Sequence, residues 1–301
     1  MRALCRCGPR LRLPGPETLW YIAHVTTALL PSRPVSTAEI LDTAFRVFKV
    51  TLWPCLLLAL AAVVVGQVPA AYDLARGTLM SPIAEKGVGW LALYGLSTGA
   101  NVLLALTLLF RQWRLALGER RSLAVDLGES LRLWPRAFVT ALAVFALLAL
   151  PAGGIALVWS QSSVLLRSLL LPPLALLWLW ILVPLSLAVQ AGLLESLPAG
   201  RAIARSFALV RGHWWRTLLA LVVGTVVVLV FYSVGGLLAA IVARLLGGAD
   251  LAVFTVVTTV VAALLGGLFM PFFTALSLVL LHELRLRLAM PTQPVVGSPA
   301  G

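Results

Sequence analysis

The chain has 301 residues, of which 61% are hydrophobic and 11% are charged, and its formal net charge is +12. Soluble domains average about 45–50% apolar and about 25% charged residues, so this composition excludes an ordinary water-soluble globule. The basic residues lie in clusters between long uncharged stretches. This pattern is typical of membrane topology, and it argues against nucleic acid as a partner.

Six stretches without Asp, Glu, Lys or Arg are long enough to cross a hydrocarbon core, which takes roughly 17–25 helical residues. Backbone groups in lipid need partners within a helix or a closed barrel, and the period-2 alternation of a barrel is absent. We predict an all-α fold, a polytopic six-helix transmembrane bundle covering residues 36–288, with a flexible tail (289–301). Residues 1–35 are predicted to be an N-terminal extension that is disordered or a mis-assigned start. The predicted spans are 50–70, 89–110, 137–159, 171–193, 217–240 and 256–279.

The distribution of basic residues predicts the orientation of these spans. Of the 23 Lys and Arg residues, 19 lie on one side, and Arg76, Lys86, Arg167 and Arg244 lie on the other. Short cytoplasmic loops carry the excess of Lys and Arg in membrane proteins. We therefore expect both termini in the cytoplasm.

The segments before spans 1, 3 and 5 carry an amphipathic helical pattern. The first begins with Ser36 and Glu39, which have the spacing of a capping box. We predict a short interfacial helix before each of these spans. Their apolar positions are Ile40, Leu41, Ala44, Phe45 and Phe48 in the first, Leu123, Leu127, Leu131 and Trp134 in the second, and Ala202, Ile203, Phe207 and Val210 in the third.

The first and third of these segments resemble each other at a constant offset of 162 residues. Two interpretations stay open: a threefold repeat of interfacial helix and hairpin, or chance similarity among Leu- and Ala-rich segments. The matching positions are Phe45, Lys49 and Trp53 in the first segment and Phe207, Arg211 and Trp215 in the third.

Chemistry-bearing residues are scarce. The predicted spans contain no acidic, basic or histidine residue, although such residues mark most functional sites inside membranes. His213 and His282 lack a visible third catalytic partner, and the pair Cys5 and Cys7 lacks the further ligands of a zinc site. We therefore predict no enzyme activity, no catalytic residue, no metal and no cofactor.

Polar and helix-breaking residues inside the spans allow two interpretations. Asn101, Gln190 and Thr258 could line a solute path or bridge neighbouring helices, and we favour packing. Residues 151–154 (PAGG) are the best candidate for the unwound segment of a transporter helix.

The cytoplasmic basic residues are candidates for lipid recognition. Near the bilayer surface each Lys or Arg attracts anionic headgroups by about 1 kcal/mol. The alternative is that they only anchor the topology, and one residue can do both. The candidate headgroup residues are Arg46, Lys49, Arg132, Arg136, Arg201, Arg205, Arg211 and Arg216.

Three segments carry a resemblance to a known family: residues 33–45 (RPVSTAEILDTAF), 202–215 (AIARSFALVRGHWW) and 271–287. The chain resembles the membrane domain found with some bacterial glycerophosphodiester phosphodiesterases, and related stand-alone inner-membrane proteins. The resemblance implies a helical membrane domain in a bacterial inner membrane. It does not imply the phosphodiesterase activity, because no soluble stretch approaches the roughly 250 residues of a catalytic barrel.

We therefore expect a non-enzymatic inner-membrane protein. Its expected partners are membrane lipids, another membrane protein or a second copy of itself. A small-solute transporter or channel, using the Pro- and Gly-interrupted spans, is the alternative.

The first 35 residues generate a testable hypothesis about the start of translation. Bacterial genes can begin at GTG, and Val25 leads directly towards the capping box at Ser36. We expect translation to start near Val25 rather than at Met1, and mass spectrometry of the purified N-terminus measures this. A peptide covering residues 5–20 would contradict the hypothesis.

Overall fold

The computed structural model describes residues 29–78, 86–119, 121–161, 163–247 and 251–289, and every regular element in these ranges is a helix. Six helical segments are long and apolar enough to cross a membrane: α1, α2, α3, α4 together with α5, α7 and α8. The predicted all-α, six-span fold is confirmed. The helices are α1 (Thr37–Arg76), α2 (Val88–Ala116), α3 (Leu123–Gln161), α4 (Val164–Leu185), α5 (Ala188–Leu194), α6 (Ala199–Val210), α7 (Trp214–Gly247) and α8 (Leu251–Ala289).

Part of the predicted N-terminal extension packs onto the bundle. Leu29 and Leu30 lie against the core, and the Leu29 N–H donates to the Ala116 carbonyl at 2.9 Å. Residues 1–28 lie outside the described ranges, and so do residues 290–301 of the predicted tail.

The capping box that begins α1 is present. The Glu39 N–H donates to Ser36 Oγ at 3.3 Å, and the Ser36 N–H donates to the Glu39 carboxylate at 2.6 Å. The hydrogen bonds from the backbone and side chain of Ser36 hold the pKa of Glu39 below its usual value. The helix then runs without interruption through Pro54 and Pro69 to Arg76.

The short interfacial helices predicted before spans 1 and 3 are not confirmed, because α1 and α3 each run without interruption through the amphipathic segment and the span. Only the third segment is a separate helix, α6. It ends just before Gly212, whose backbone has a left-handed conformation with φ +84°. The position equivalent to Gly212 in the first segment is Val50, which tolerates that conformation poorly. Whether α6 lies in a membrane interface stays a prediction.

The amphipathic part of α3 packs with its polar side inward. Asp126 and Ser130 are buried, whereas Leu127 and Leu131 are exposed, Leu131 by 58%. A soluble protein would place these side chains the other way round. Outward-facing leucines fit a helix whose outer face meets lipid.

The core is concentrated at the end of the bundle that contains the C-termini of α2 and α8. One cluster joins Ile40 and Val47 of α1 to Leu209 of α6 and Leu284 of α8. The α3–α4 hairpin joins the bundle at this end through α2, α5 and α6. At the other end of the hairpin, no residue is buried between 141 and 160 of α3 or between 164 and 182 of α4. Residues 151–154, the candidate for an unwound segment, stay helical within α3.

Two side chains of α2 donate to proline carbonyls of neighbouring helices. Arg111 Nε donates to the Pro54 carbonyl at 2.9 Å, and Gln112 Nε2 donates to the Pro271 carbonyl at 2.8 Å. Gln112 is fully buried and also donates to Thr51 Oγ1 at 3.0 Å. These bonds tie α2 to α1 and α8.

Buried and partly buried ion pairs join the helices at the same end. Asp126 of α3 accepts from Arg111 and Arg114 of α2. Glu195, after α5, pairs with Arg205 of α6 at 2.9 Å and with Arg285 of α8 at 3.1 Å.

Another carboxylate, Glu283 of α8, is fully buried between two guanidinium groups. It pairs with Arg216 of α7 at 3.4 Å and with Arg287 one turn further along α8. Removing the carboxylate from such a cluster leaves cations without a counter-charge in a poorly solvated place.

We expect Gly267→Ala to destabilise the bundle. A Cβ at Gly267 would lie 3.2 Å from the Leu60 Cα and closer still to the Leu60 side chain, so α1 and α8 would have to separate. Overpacking of this kind costs roughly 1–3 kcal/mol, which thermal unfolding in detergent can measure. Gly236→Ala is the matched control, because nothing lies within 4 Å of its added Cβ. Equal melting temperatures for the two variants would refute the close approach.

We also expect Glu283→Gln to lower the free energy of unfolding by about 3 kcal/mol, because Arg216 and Arg287 would lose their shared counter-charge. The control is Asp42→Asn, which breaks an exposed pair with Arg46 and should change stability by less than about 0.5 kcal/mol. Chemical unfolding in detergent compares them. If E283Q unfolds like the unmodified protein, the cluster is not stabilising.

Candidate functional site

The structure divides the eight candidate headgroup residues into two groups. Arg46, Arg205 and Arg216 are held in ion pairs with Asp42, Glu195 and Glu283. The others are exposed and have no ion pair within the described part of the chain: Lys49, Arg132, Arg136, Arg201 and Arg211. The eight do not converge on one site. Three of the unpaired arginines instead line two separate grooves, one at each end of α6.

The larger groove lies between α4, α6 and the start of α7, and we call it the α4–α6–α7 groove. Its volume is about 660 Å³, within the roughly 300–1,000 Å³ of ordinary ligand sites. Its walls are mainly apolar and aromatic, and its charged residue is Arg211. The lining residues used below are Trp180, Pro184, Phe207, Ala208, Arg211 and Trp214.

Pro184 shapes the α4 wall of this groove. A proline has no N–H, so it cannot donate to the carbonyl of Trp180 four residues earlier. Trp214 Nε1 of α7 donates to that carbonyl at 3.4 Å. The buried hydroxyl of Ser206 donates to the Pro184 carbonyl and fastens α6 to α4. The missing proline N–H therefore leaves one acceptor for α7, and the Pro184 carbonyl itself accepts from α6.

The turn between α6 and α7 forms the other wall. Gly212 supplies the left-handed conformation, and the His213 N–H donates back to the Val210 carbonyl at 2.9 Å. Aromatic rings then border the opening, with Trp180 and Phe207 in edge contact at 6.0 Å between centroids. Trp215, next to Trp214, is 77% exposed. Exposed tryptophan is typical of the level of lipid headgroups.

The electrostatics of the groove follow from Arg211. This side chain is exposed and lies beside apolar walls, and no carboxylate lines the groove. An amphipathic molecule with a negative head and an apolar tail matches this arrangement. The charge would meet Arg211, and the tail would lie along the rings and Ala208.

The smaller cavity, the α3–α6 groove, lies between α3 and the N-terminal end of α6. Its volume is about 520 Å³, and its lining includes Pro135, Arg136, Val139, Ser196, Pro198 and Arg201. Ser196 has φ +53°, which is unusual for a residue with a side chain.

Two of the three polar residues that could line a solute path form hydrogen bonds to helix carbonyls. Asn101 Nδ2 donates to the Ala62 carbonyl at 2.7 Å, which bridges α2 and α1. Thr258 donates to the Phe254 carbonyl of its own helix, whereas the buried Gln190 Oε1 has no hydrogen bond from the described residues. The first two bonds favour the packing interpretation of those residues.

Sequence reasoning missed the α4 wall of the groove and all of the buried carboxylates. Pro184 was visible as a helix breaker in an apolar span, but nothing in the sequence paired it with α6 or Trp214. The acidic residues were too few and too far apart in sequence for their partners to be recognised. Within the described residues, no three His, Cys, Asp or Glu side chains are placed to hold a metal ion, and Cys5 and Cys7 lie outside those residues.

Comparison with protein-family models, with curated proteins and with solved structures finds no match to this chain. The resemblance to the membrane domain of the phosphodiesterase family stays a prediction. The fold and the two grooves are therefore the basis on which a function is proposed.

Proposed function

We propose that the protein is a non-enzymatic bacterial inner-membrane protein that binds anionic phospholipid in the α4–α6–α7 groove. The headgroup phosphate pairs with Arg211, and an acyl chain lies against Trp180, Phe207 and Trp214. The observation that carries the proposal is the presence of an unpaired guanidinium at the edge of an aromatic cavity in a chain with six apolar helices.

The chemistry of the lining supports a lipid over a polar solute. Apart from Arg211, the groove side chains named above are apolar or aromatic. A sugar or a free nucleotide would leave most of its hydroxyl groups without partners there, which costs free energy at each buried group. A phospholipid buries mainly its apolar chains and keeps its polar headgroup near the opening of the groove, so fewer of its hydrogen-bonding groups lose their partners.

The predicted orientation of the helices supports contact between this groove and the headgroups of the inner leaflet. The charge distribution predicts that α6 and the start of α7 lie on the cytoplasmic side, where the inner leaflet supplies anionic lipids. Exposed Trp53 of α1 and Trp215 of α7, which occupy equivalent positions at the offset of 162 residues, fit a common headgroup level.

We expect Arg211→Gln to weaken binding of phosphatidylglycerol about fivefold, because one charge near the headgroup level contributes about 1 kcal/mol. Binding of phosphatidylcholine with the same acyl chains should change much less. Native mass spectrometry of delipidated protein, titrated with each lipid, measures both affinities. Ala208→Phe, which fills the groove without changing charge, should weaken both lipids.

Arg132→Gln is the matched control, because Arg132 is an exposed, unpaired arginine that lines neither groove. It removes the same charge and should leave both affinities unchanged. If R211Q and R132Q weaken phosphatidylglycerol equally, the arginines act only as diffuse surface charge and the proposal fails. It also fails if A208F, shown by its melting temperature to be folded, binds both lipids normally.

A further inference from the structure

The α3–α6 groove carries a concentration of positive charge that the protein itself does not neutralise. Arg136 of α3 and Arg201 of α6 line it, and neither forms an ion pair within the described residues. The carboxylates nearest to them in sequence are already paired, Glu129 with Arg114 and Glu195 with Arg205 and Arg285. No acidic side chain lines the groove.

The local structure of α6 adds to this charge. Arg201 is the third residue of the helix, the first turn contains no acidic residue, and Pro198 at the N-cap makes no side-chain hydrogen bond. The first N–H groups of a helix have no acceptor within the helix, and this end carries a partial positive charge. Arg201 therefore lies where the helix dipole disfavours a cation. An anion in the groove would relieve both effects.

The polar side chains of the groove indicate which kind of anion it binds best. Two arginines come from different helices, and Ser196 adds a hydroxyl group. A phosphate monoester carries about −1.5 to −2 charges at neutral pH and has three terminal oxygens, whereas a phosphodiester carries one charge and two free oxygens. Guanidinium groups bind such oxygens through paired N–H bonds. Two guanidiniums therefore match the monoester better than the diester.

We propose that the α3–α6 groove is a binding site for a phosphate monoester, held by Arg136, Arg201 and the N-terminal N–H groups of α6. The monoester is the headgroup of a lipid such as phosphatidic acid or a soluble molecule such as glycerol 3-phosphate. This site is separate from the α4–α6–α7 groove and does not depend on the lipid binding proposed there. Pro135 and Val139 supply an apolar edge along which an acyl chain could lie.

The test compares phosphatidic acid with phosphatidylglycerol of the same acyl composition, by native mass spectrometry of delipidated protein. We expect the unmodified protein to bind phosphatidic acid at least fivefold more tightly. Arg136→Gln and Arg201→Gln should each abolish this preference. Arg132→Gln, one helical turn from Arg136 and outside the groove, should keep it.

A second arm identifies the source of the phosphate. Glycerol 3-phosphate is added to the protein in detergent, with sodium chloride at equal ionic strength as the reference. A higher melting temperature that is lost in R136Q and R201Q supports a soluble ligand. A preference for phosphatidic acid without this shift supports a lipid. The proposal is overturned if the protein shows neither effect, or if R136Q and R201Q keep every effect that R132Q keeps. Failure of the R211Q experiment alone would affect only the α4–α6–α7 groove.

Discussion

Neutralisation of partly buried guanidinium groups at one end of an apolar bundle determines much of this structure. Glu195 and Glu283 hold arginines from α6, α7 and α8, and Asp126 holds two from α2. A buried cation without a counter-charge would be costly, so the three carboxylates decide how these helix ends come together. The same pairing decides which basic residues stay available. Arg136, Arg201 and Arg211 have no such partner, and each lines a groove.

The sequence predicted the fold because the physics of the bilayer leaves few alternatives. Six uncharged stretches of sufficient length had to be helices, since lipid offers no other partners for the backbone. The capping box at Ser36 and the amphipathic segments were readable from spacing. The sequence did not reveal where a helix stops, because that depends on one backbone conformation. Gly212 ends α6, whereas Val50 at the equivalent position lets α1 continue.

The candidate sites were predictable only in part. Charge clustering identified Arg136, Arg201 and Arg211, but it equally identified Arg205 and Arg216, which are engaged in ion pairs. The difference depends on carboxylates that are distant in sequence, such as Glu283, 67 residues beyond Arg216. The α4 wall was invisible for a similar reason. Trp180 and Trp214 meet because Pro184 leaves a carbonyl free, and a single sequence does not show which donor will occupy it.

The uneven packing of the α3–α4 hairpin determines where the protein tolerates substitutions. Near Ala137 the hairpin is enclosed by Leu106 and Leu193, so a side chain there has one well-fitted environment. Between residues 141 and 160 of α3, the side chains are at least partly exposed, and the acyl chains of the bilayer are their expected neighbours. Fluid neighbours rearrange around a new shape, whereas a packed interior does not. Sequence drift among apolar residues should therefore be nearly unconstrained at one end of this hairpin and narrowly limited at the other.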